Sequence, residues 1–299
     1  MIEEIPVQPL AIVIPVKNVE RLIGDCLAAI TDQIRPGDSL VVVDDCSDDK
    51  TAAVAERLGA EVIRRSTPGG PYAARNDGWR ATHQRYVLFT DARCLAKPGL
   101  LDRVRAAAAQ NPALIFGDIV IRPGARLAER VAAGRQHLRV AYYRNDSFLP
   151  FFPTACLAVK RTALDAVDGF RTLESGGDAD LCWRIQLAGY RELHEIAEPL
   201  MEWRPRSDIR ALVEQWSKYG RSNAQLRHEY GPQGATAPPP QATARLLAIY
   251  ARRTLRILRR NQFRDVALIL VDAWVDLARD ISYGRTMRRL RRDVRRLEA

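Results

Sequence analysis

The chain has 299 residues, 47% hydrophobic and 27% charged, with a net charge of +10. This length can bury a full core, and the composition excludes disordered and fibrous classes. The longest apolar stretch, Phe263 to Ile281, is interrupted by Arg264, Asp265, Asp272, Asp276, Arg279 and Asp280, which argues against a bilayer span. No signal peptide is evident behind Glu3 and Glu4, and the five cysteines lack metal-ligand or disulfide spacing. A cytoplasmic, reducing compartment is the expectation.

Ala11–Val16 and Ser39–Val43 are short β-branched runs followed by polar loops, the pattern of buried parallel strands. Between them Leu22, Ile23, Cys26, Leu27 and Ile30 recur at helical spacing. A helix over 49–58, a strand at 61–64, a helix over 72–82 and a strand at 86–90 continue the alternation. Such alternation predicts a doubly wound α/β sheet, whose ligands sit beyond the carboxyl ends of the strands. A helix after Pro98, a strand near 114–121, the apolar run 155–159 and a helix entered at Gly176-Gly177 follow. Gly231–Pro240 reads as a linker. Three units are therefore expected: residues 1–230, the linker 231–240, and a basic helical tail over 241–299.

Chemistry-bearing residues collect where strands stop. Asp44 and Asp45 end the second strand, where carboxylates can accept from a nucleobase, a ribose or a cation's shell. Capping of the next helix explains Ser47 or Asp48 but not both earlier acids. Arg75 stands near the start of a helix opened by two glycines, within reach of a diphosphate or a base. Asp91 closes the fourth strand, and Arg93 stands where a second oxygen ligand for Mg²⁺ or Mn²⁺ would be wanted. Asp178, at a helix start, is either a cap or a carboxylate able to take a proton from an attacking hydroxyl.

Taken in order, IVIPVKN (12–18), VVVDDCSDD (41–49), AARNDG (73–78), FTDARC (89–94) and GGDADLCWRIQLAGY (176–190) resemble the family-2 glycosyltransferases. The resemblance implies a GT-A fold: a Rossmann-like, mostly parallel sheet flanked by helices, here with a C-terminal helical extension. It further implies an inverting, non-processive transfer from a nucleotide-diphosphate-sugar to an acceptor hydroxyl. On that likeness Pro15, Val16, Asp44, Asp45, Arg75 and Asp91 would hold the donor nucleotide, and Asp178 would be the catalytic base. Thr154, Asp180 and Trp183 would border the acceptor.

Two positions depart from the family pattern: Arg93 replaces the second acid of D-x-D, and Gly177 replaces the glutamate that commonly precedes the base. Asp91 with other groups could still hold Mg²⁺ or Mn²⁺, which is the preferred expectation. Alternatively Arg93 supplies the positive charge itself, or the site has lapsed into a nucleotide-sugar-binding or scaffolding module. Retention of Asp44, Asp45, Arg75, Asp91 and Asp178 together favours an active enzyme. A sugar nucleotidyltransferase is disfavoured by the poor match of Lys17–Glu20 to a glycine-rich phosphate loop.

From Gln241 onward fifteen arginines face six acids. Over 245–260 Arg245, Arg252, Arg253, Arg256, Arg259 and Arg260 take one side of a helix. Leu246, Leu247, Tyr250, Leu255, Ile257 and Leu258 take the other. Such a segment suits either an anionic membrane surface or a hairpin folded on the main domain, its acids answering the arginines. A membrane-proximal or lipid-linked acceptor would fit the former. No nucleic-acid partner is expected, because no binding motif accompanies the charge.

Overall fold

The computed structural model describes residues 8–144, 148–235, 243–259 and 265–297. Glu3, Glu4, the second half of the expected linker (236–240), Arg260, Phe263 and Arg264 lie outside these, as do the side chains of Arg245, Leu247, Arg256, Ile257, Leu258 and Arg259. The first half comprises β1 (Leu10–Val16), α1 (Glu20–Thr31), β2 (Ser39–Asp44), α2 (Thr51–Arg57), β3 (Glu61–Arg64), α3 (Gly70–Arg80), β4 (Tyr86–Thr90) and β5 (Cys94–Ala96). Next come α4 (Leu100–Ala108), β6 (Leu114–Ile121), α5 (Leu127–Arg135), α6 (Val140–Tyr143), β7 (Cys156–Lys160), α7 (Arg161–Ala166) and α8 (Gly177–Leu187). β8 (Leu193–Trp203) and the helices α9 (Ile209–Tyr230), α10 (Thr243–Arg259) and α11 (Val266–Leu297) complete the described chain.

The strands form one sheet in the order β3-β2-β1-β4-β7-β6-β8-β5. β1 to β4 are parallel neighbours, β7 runs against both β4 and β6, and β8 is parallel to β6. The carboxyl ends of β1, β2, β4, β6 and β8 therefore share one rim. The short β5, paired antiparallel with β8, brings Arg93 next to Arg204, whose amide donates to the Arg93 carbonyl at 2.9 Å.

Both faces of the sheet are covered, which is why its strands read as unbroken apolar runs. Leu10, Ile12 and Ile14 point into a core with Ile23, Leu27 and Leu101. The alternate residues Ala11 and Val13 enter a second core with Tyr72, Trp79, Phe89, Phe170 and Leu181. Gly78 lets α3 rest directly on β1 and β2, since a Cβ there would meet Val13 and lie 3.0 Å from Val43.

The basic C-terminal segment joins the first core: Trp216 of α9 and Val275 of α11 are both buried in it. Arg135, on α5, bonds Asp272 at 2.6 Å and Asp276 at 3.0 Å, and its guanidinium lies 4.2 Å from the Trp216 ring centre. Tyr250 and Arg253 of α10 reach the same two aspartates. The acids that interrupt the Phe263–Ile281 run are thus partners for arginines on three elements. Beyond Ile281, α11 continues through Met287, Leu290 and Val294 as one helix.

α9 and α11 cross at Gly220, where a Cβ would fall inside van der Waals contact with the Arg279 carbonyl. Backbone cannot rotate away as a side chain can, so Gly220→Val should lower stability by about 2–3 kcal/mol or more. Chemical denaturation would measure this loss, and limited proteolysis should report earlier cleavage within α11.

Candidate active site

The loops at the carboxyl rim are stapled to one another by side chains. Ser47 Oγ accepts from the Asn18 amide at 2.9 Å, and Asn18 Oδ1 accepts from the Asp48 amide at 2.8 Å. Asn18 itself adopts left-handed backbone, φ 52°. Asp44 is turned inward and accepts from the amide and hydroxyl of Ser47. Asp45 accepts from the amides of Gly69 and Gly70, at 2.8 and 2.9 Å, and from Arg65 Nε at 3.0 Å. Each of these acids is 5% exposed. In this structure their carboxylates anchor the rim, and Asp45 sets the turn from which α3 departs. Pro15 is half-buried and Val16 is buried beneath this rim.

Gly70 takes φ +78° and Pro71 follows in the first turn of α3, where a missing amide proton costs nothing. This start directs Tyr72 and Arg75 toward β4. Arg75, 3% exposed, donates to Asp91 at 2.5 Å, with its guanidinium carbon 5.7 Å from the Tyr72 ring centre and 5.8 Å from that of Phe170. Its Nε is buried without a partner.

Tyr72 also explains one departure from the family pattern. Its hydroxyl accepts from the Gly177 amide at 2.9 Å, and a Cβ on Gly177 would stand 2.7 Å from its ring. The ring occupies the space a glutamate side chain would need, so position 177 must be glycine. Asp178 follows in the first turn of α8 and caps no preceding turn; among the described residues its carboxylate accepts from the Ala179 amide at 3.0 Å. Burial raises its pKa above the ordinary carboxylate value, opposed by the Ala179 amide and by Arg75 and reinforced by the charge of Asp91.

Tyr219 of α9 completes this wall. Burial pushes its hydroxyl up to about 12, with Asp178 and Asp91 adding to the rise and Arg206 opposing it. Tyr143 is likewise raised, by burial first and then by Tyr219 and Asp178. Asp178 is therefore within electrostatic reach of Arg75, Asp91, Tyr143 and Tyr219, and Tyr219 in turn of Arg206. Tyr143 and Arg206 were missed from the sequence. They sit in segments without periodicity, and no local signal marks them.

Three expected acceptor residues are corrected by burial. The Asp180 side chain is 0% exposed; it pairs with Arg171, with Arg184 Nε at 2.9 Å, and accepts from the Tyr230 hydroxyl at 2.7 Å. Trp183 donates to the Leu149 carbonyl at 2.7 Å and is packed among Phe148, Phe151 and Tyr230. Thr154, 6% exposed, lies behind the start of β7. Asp180 is thus wholly buried and paired, whereas Thr154 and Trp183 keep 6% and 9% of their surface.

The metal expectation rested on Asp91. Its Oδ1 is taken by Arg75, and Arg93 stands two residues on, its pKa lowered by burial and then by the like charge of Arg206. Among the described residues no three of His, Cys, Asp or Glu gather as a metal would require. The described residues thus offer no all-protein cage for a divalent ion, and Asp91 alone stands as a candidate ligand beside a donor's phosphates. Arg206 carries a buried Nε without a partner and has no carboxylate across from it among the described residues. A cavity of about 750 Å³ opens beside Arg93 on the α1 side, lined by Asn18, Arg21, Asp25, Arg122 and Arg204 among others; Asp45, Asp91 and Asp178 are not in its wall.

A mostly parallel sheet with carboxylates and guanidinium groups at the carboxyl rim places them where ligands of open α/β sheets bind. The family model described as Glycosyl transferase family 2 matches residues 11–167, about half of the chain, and the protein belongs to that family. A pre-mycofactocin glycosyltransferase of Mycobacterium tuberculosis is 28% identical over 228 residues, covering 72% of this chain and 47% of the relative. Glycosyltransferase AglE of Haloferax volcanii is 28% identical over 193 residues, covering 60% and 62%. The chain spans about half the length of the first of these relatives.

Among solved structures, a mannosyltransferase from Pyrobaculum calidifontis in complex with GDP-Man and Mn²⁺ superposes with a TM-score of 0.56 at 19% identity, covering 95% of this chain and 74% of that one. Glucosyl-3-phosphoglycerate synthase of Mycobacterium tuberculosis, in complex with Mn²⁺, UDP and glucosyl-3-phosphoglycerate, gives 0.53 at 20% identity, covering 75% and 80%. At such identities the likeness establishes the GT-A fold.

Asp178 and Asp180 stand two residues apart and should respond oppositely to loss of charge. Asp180→Asn leaves two arginines facing a buried neutral group and should destabilise the protein by about 3 kcal/mol. Asp178→Asn removes a charge that burial disfavours and should leave stability within about 1 kcal/mol of wild type, or raise it. Urea titration of both variants measures the contrast.

Proposed function

We propose that the protein is an inverting, non-processive glycosyltransferase acting on a nucleotide-diphosphate-sugar, with Asp178 as the base. The observation that carries this reading is the state of Asp178: a half-buried carboxylate with one bond to its own helix, beside Asp91 and Arg75. A carboxylate needed only for structure would be paired, as Asp180 is.

In the proposed reaction Asp178 takes the acceptor hydroxyl proton while that oxygen attacks the anomeric carbon. The new C–O bond forms as the bond to the diphosphate breaks, and the electron pair leaves on the diphosphate oxygen. One in-line displacement inverts the anomeric centre. The donor nucleotide would lie over Pro15 and Val16, with Asp44 and Asp45 fixing the loops around it and Arg75 orienting Asp91. Positioning and charge neutralisation supply the rate enhancement.

For the leaving diphosphate we favour Arg93 and Arg206 over a divalent ion. They are neighbouring cations on the two paired segments after β4 and β8, and the charge of Arg206 adds to the burial that lowers the Arg93 pKa. A diphosphate between them would relieve that repulsion. The complexes of the structural neighbours with GDP-Man and with UDP support the donor class.

Asp178→Asn should reduce turnover by about 10²–10⁴-fold while UDP- or GDP-sugar binding, read by calorimetry, stays near wild type. Because burial raises its pKa, Asp178 is protonated at a higher pH than an ordinary carboxylate, so kcat should fall on the acid side with a midpoint above that of an exposed aspartate. Binding without turnover in the wild type across a panel of nucleotide sugars would reject the enzyme reading.

Arg93→Ala and Arg206→Ala should each lower kcat by about 100-fold, and added Mn²⁺ should not restore it. Wild-type turnover should persist in EDTA. Loss of all turnover in EDTA, recovered with Mn²⁺, would remove the arginine assignment and leave Asp178 untouched.

A further inference from the structure

One face of α11 has no partner among the described residues. Leu270, Trp274, Leu277 and Ile281, followed by Arg285, Arg288, Arg292 and Arg295, recur at steps of three and four and so form a single stripe along the helix. Leu270 is 61% exposed, Trp274 53% and Ile281 42%. The four arginines are exposed, and none has a carboxylate partner among the described residues. The opposite face carries the buried groups, Ile269, Val275, Tyr283 and Thr286, and the Asp272–Asp276 pair that fastens α11 to α5 and α10.

Ordinary surface chemistry does not explain this stripe. A docked helix usually turns charged residues outward, yet here its first half turns out leucine, tryptophan and isoleucine. Favourable interaction with the helix dipole accounts for Arg295 and Arg296 in the last turn. It does not account for Arg285 and Arg288, two to three turns inside. Between Arg285 and Arg296 seven arginines face one acid, Asp293.

We propose that this face of α11 docks the protein on an anionic lipid bilayer. The apolar half, with an exposed tryptophan, suits the boundary between headgroups and acyl chains, and the basic half suits anionic headgroups alongside it. The stripe from Leu270 to Arg295 extends about 37 Å at the helical rise, and it lies flat because its other side is held by the protein. Charge complementarity selects this occupant. A second copy of the same face would set arginine against arginine, and a nucleic acid would leave Leu270, Trp274 and Ile281 in water. The site is peripheral: no helix among the described residues is long and apolar enough to cross a membrane. This inference stands apart from the transferase reading, because it uses no residue of the rim.

Flotation of the full chain with vesicles of phosphatidylcholine alone, and with about 30% phosphatidylserine, tests the assignment. Binding should be at least tenfold stronger to the anionic vesicles and should weaken with salt. Leu270→Ser with Trp274→Ser, and separately Arg288→Glu with Arg292→Glu, should each reduce it at least tenfold while thermal unfolding stays as in wild type. Failure of the folded wild type to float with anionic vesicles overturns the proposal. So does binding that survives both double variants, or a solution dimer that the Leu270–Trp274 variant abolishes.

Discussion

The approach of Tyr72 to Gly177 is the contact on which the candidate site depends. The tyrosine ring lies where a side chain at 177 would stand, and its hydroxyl receives the first amide of α8. That contact joins the helix carrying Arg75 to the helix carrying Asp178. Upstream, Asp45 holds Gly69 and Gly70 and so decides where α3 begins. A chain of polar contacts thus runs from the end of β2 to the end of β4 and the start of α8. The two acids with the least protein to satisfy them, Asp91 and Asp178, stand at its far end.

The distribution of charge on the rim follows from this arrangement. Asp44, Asp45 and Asp180 are buried and satisfied by amides, hydroxyls or arginines, so they act as fixed structure. Asp178 is disfavoured as an anion by burial and by Asp91, yet kept within reach of a positive charge through Arg75. A base placed so is held above the usual carboxylate range without being neutralised outright. Near Asp91, neither Arg93 nor Arg206 has a salt-bridged carboxylate among the described residues, and the proposed reading gives this positive charge to the leaving diphosphate.

The C-terminal helices serve the same architecture from behind. α9 supplies Tyr219 to the rim and Trp216 to the main core, and α11 lies across α9 at a glycine that admits backbone contact. Arg135 links α5, α9 and α11 through one guanidinium, bonded to two aspartates and stacked on an indole. The excess of arginine at the end of the chain is therefore of two kinds. Part is matched inside the hairpin, and part faces outward along α11.

Much of this was legible in the chain itself. The β-branched runs at 11–16 and 39–43 identified strands because a sheet covered on both faces admits only apolar side chains, and this is a local property. The placement of Asp44, Asp45, Asp91 and Asp178 at element ends was equally local. Which of these acids remain chemically free was not, since that depends on partners such as Gly69, Arg65 and Tyr230, distant in sequence. Asp180 illustrates the limit: spacing set it beside Asp178, but burial and Arg171, Arg184 and Tyr230 removed it from any acceptor surface. Likewise only the antiparallel pairing of β5 with β8 brought Arg93 toward Arg204 and Arg206, because strand partnership is a long-range choice. Periodicity determines which faces are apolar; only the closed fold decides which charges keep company and which are left facing an open rim.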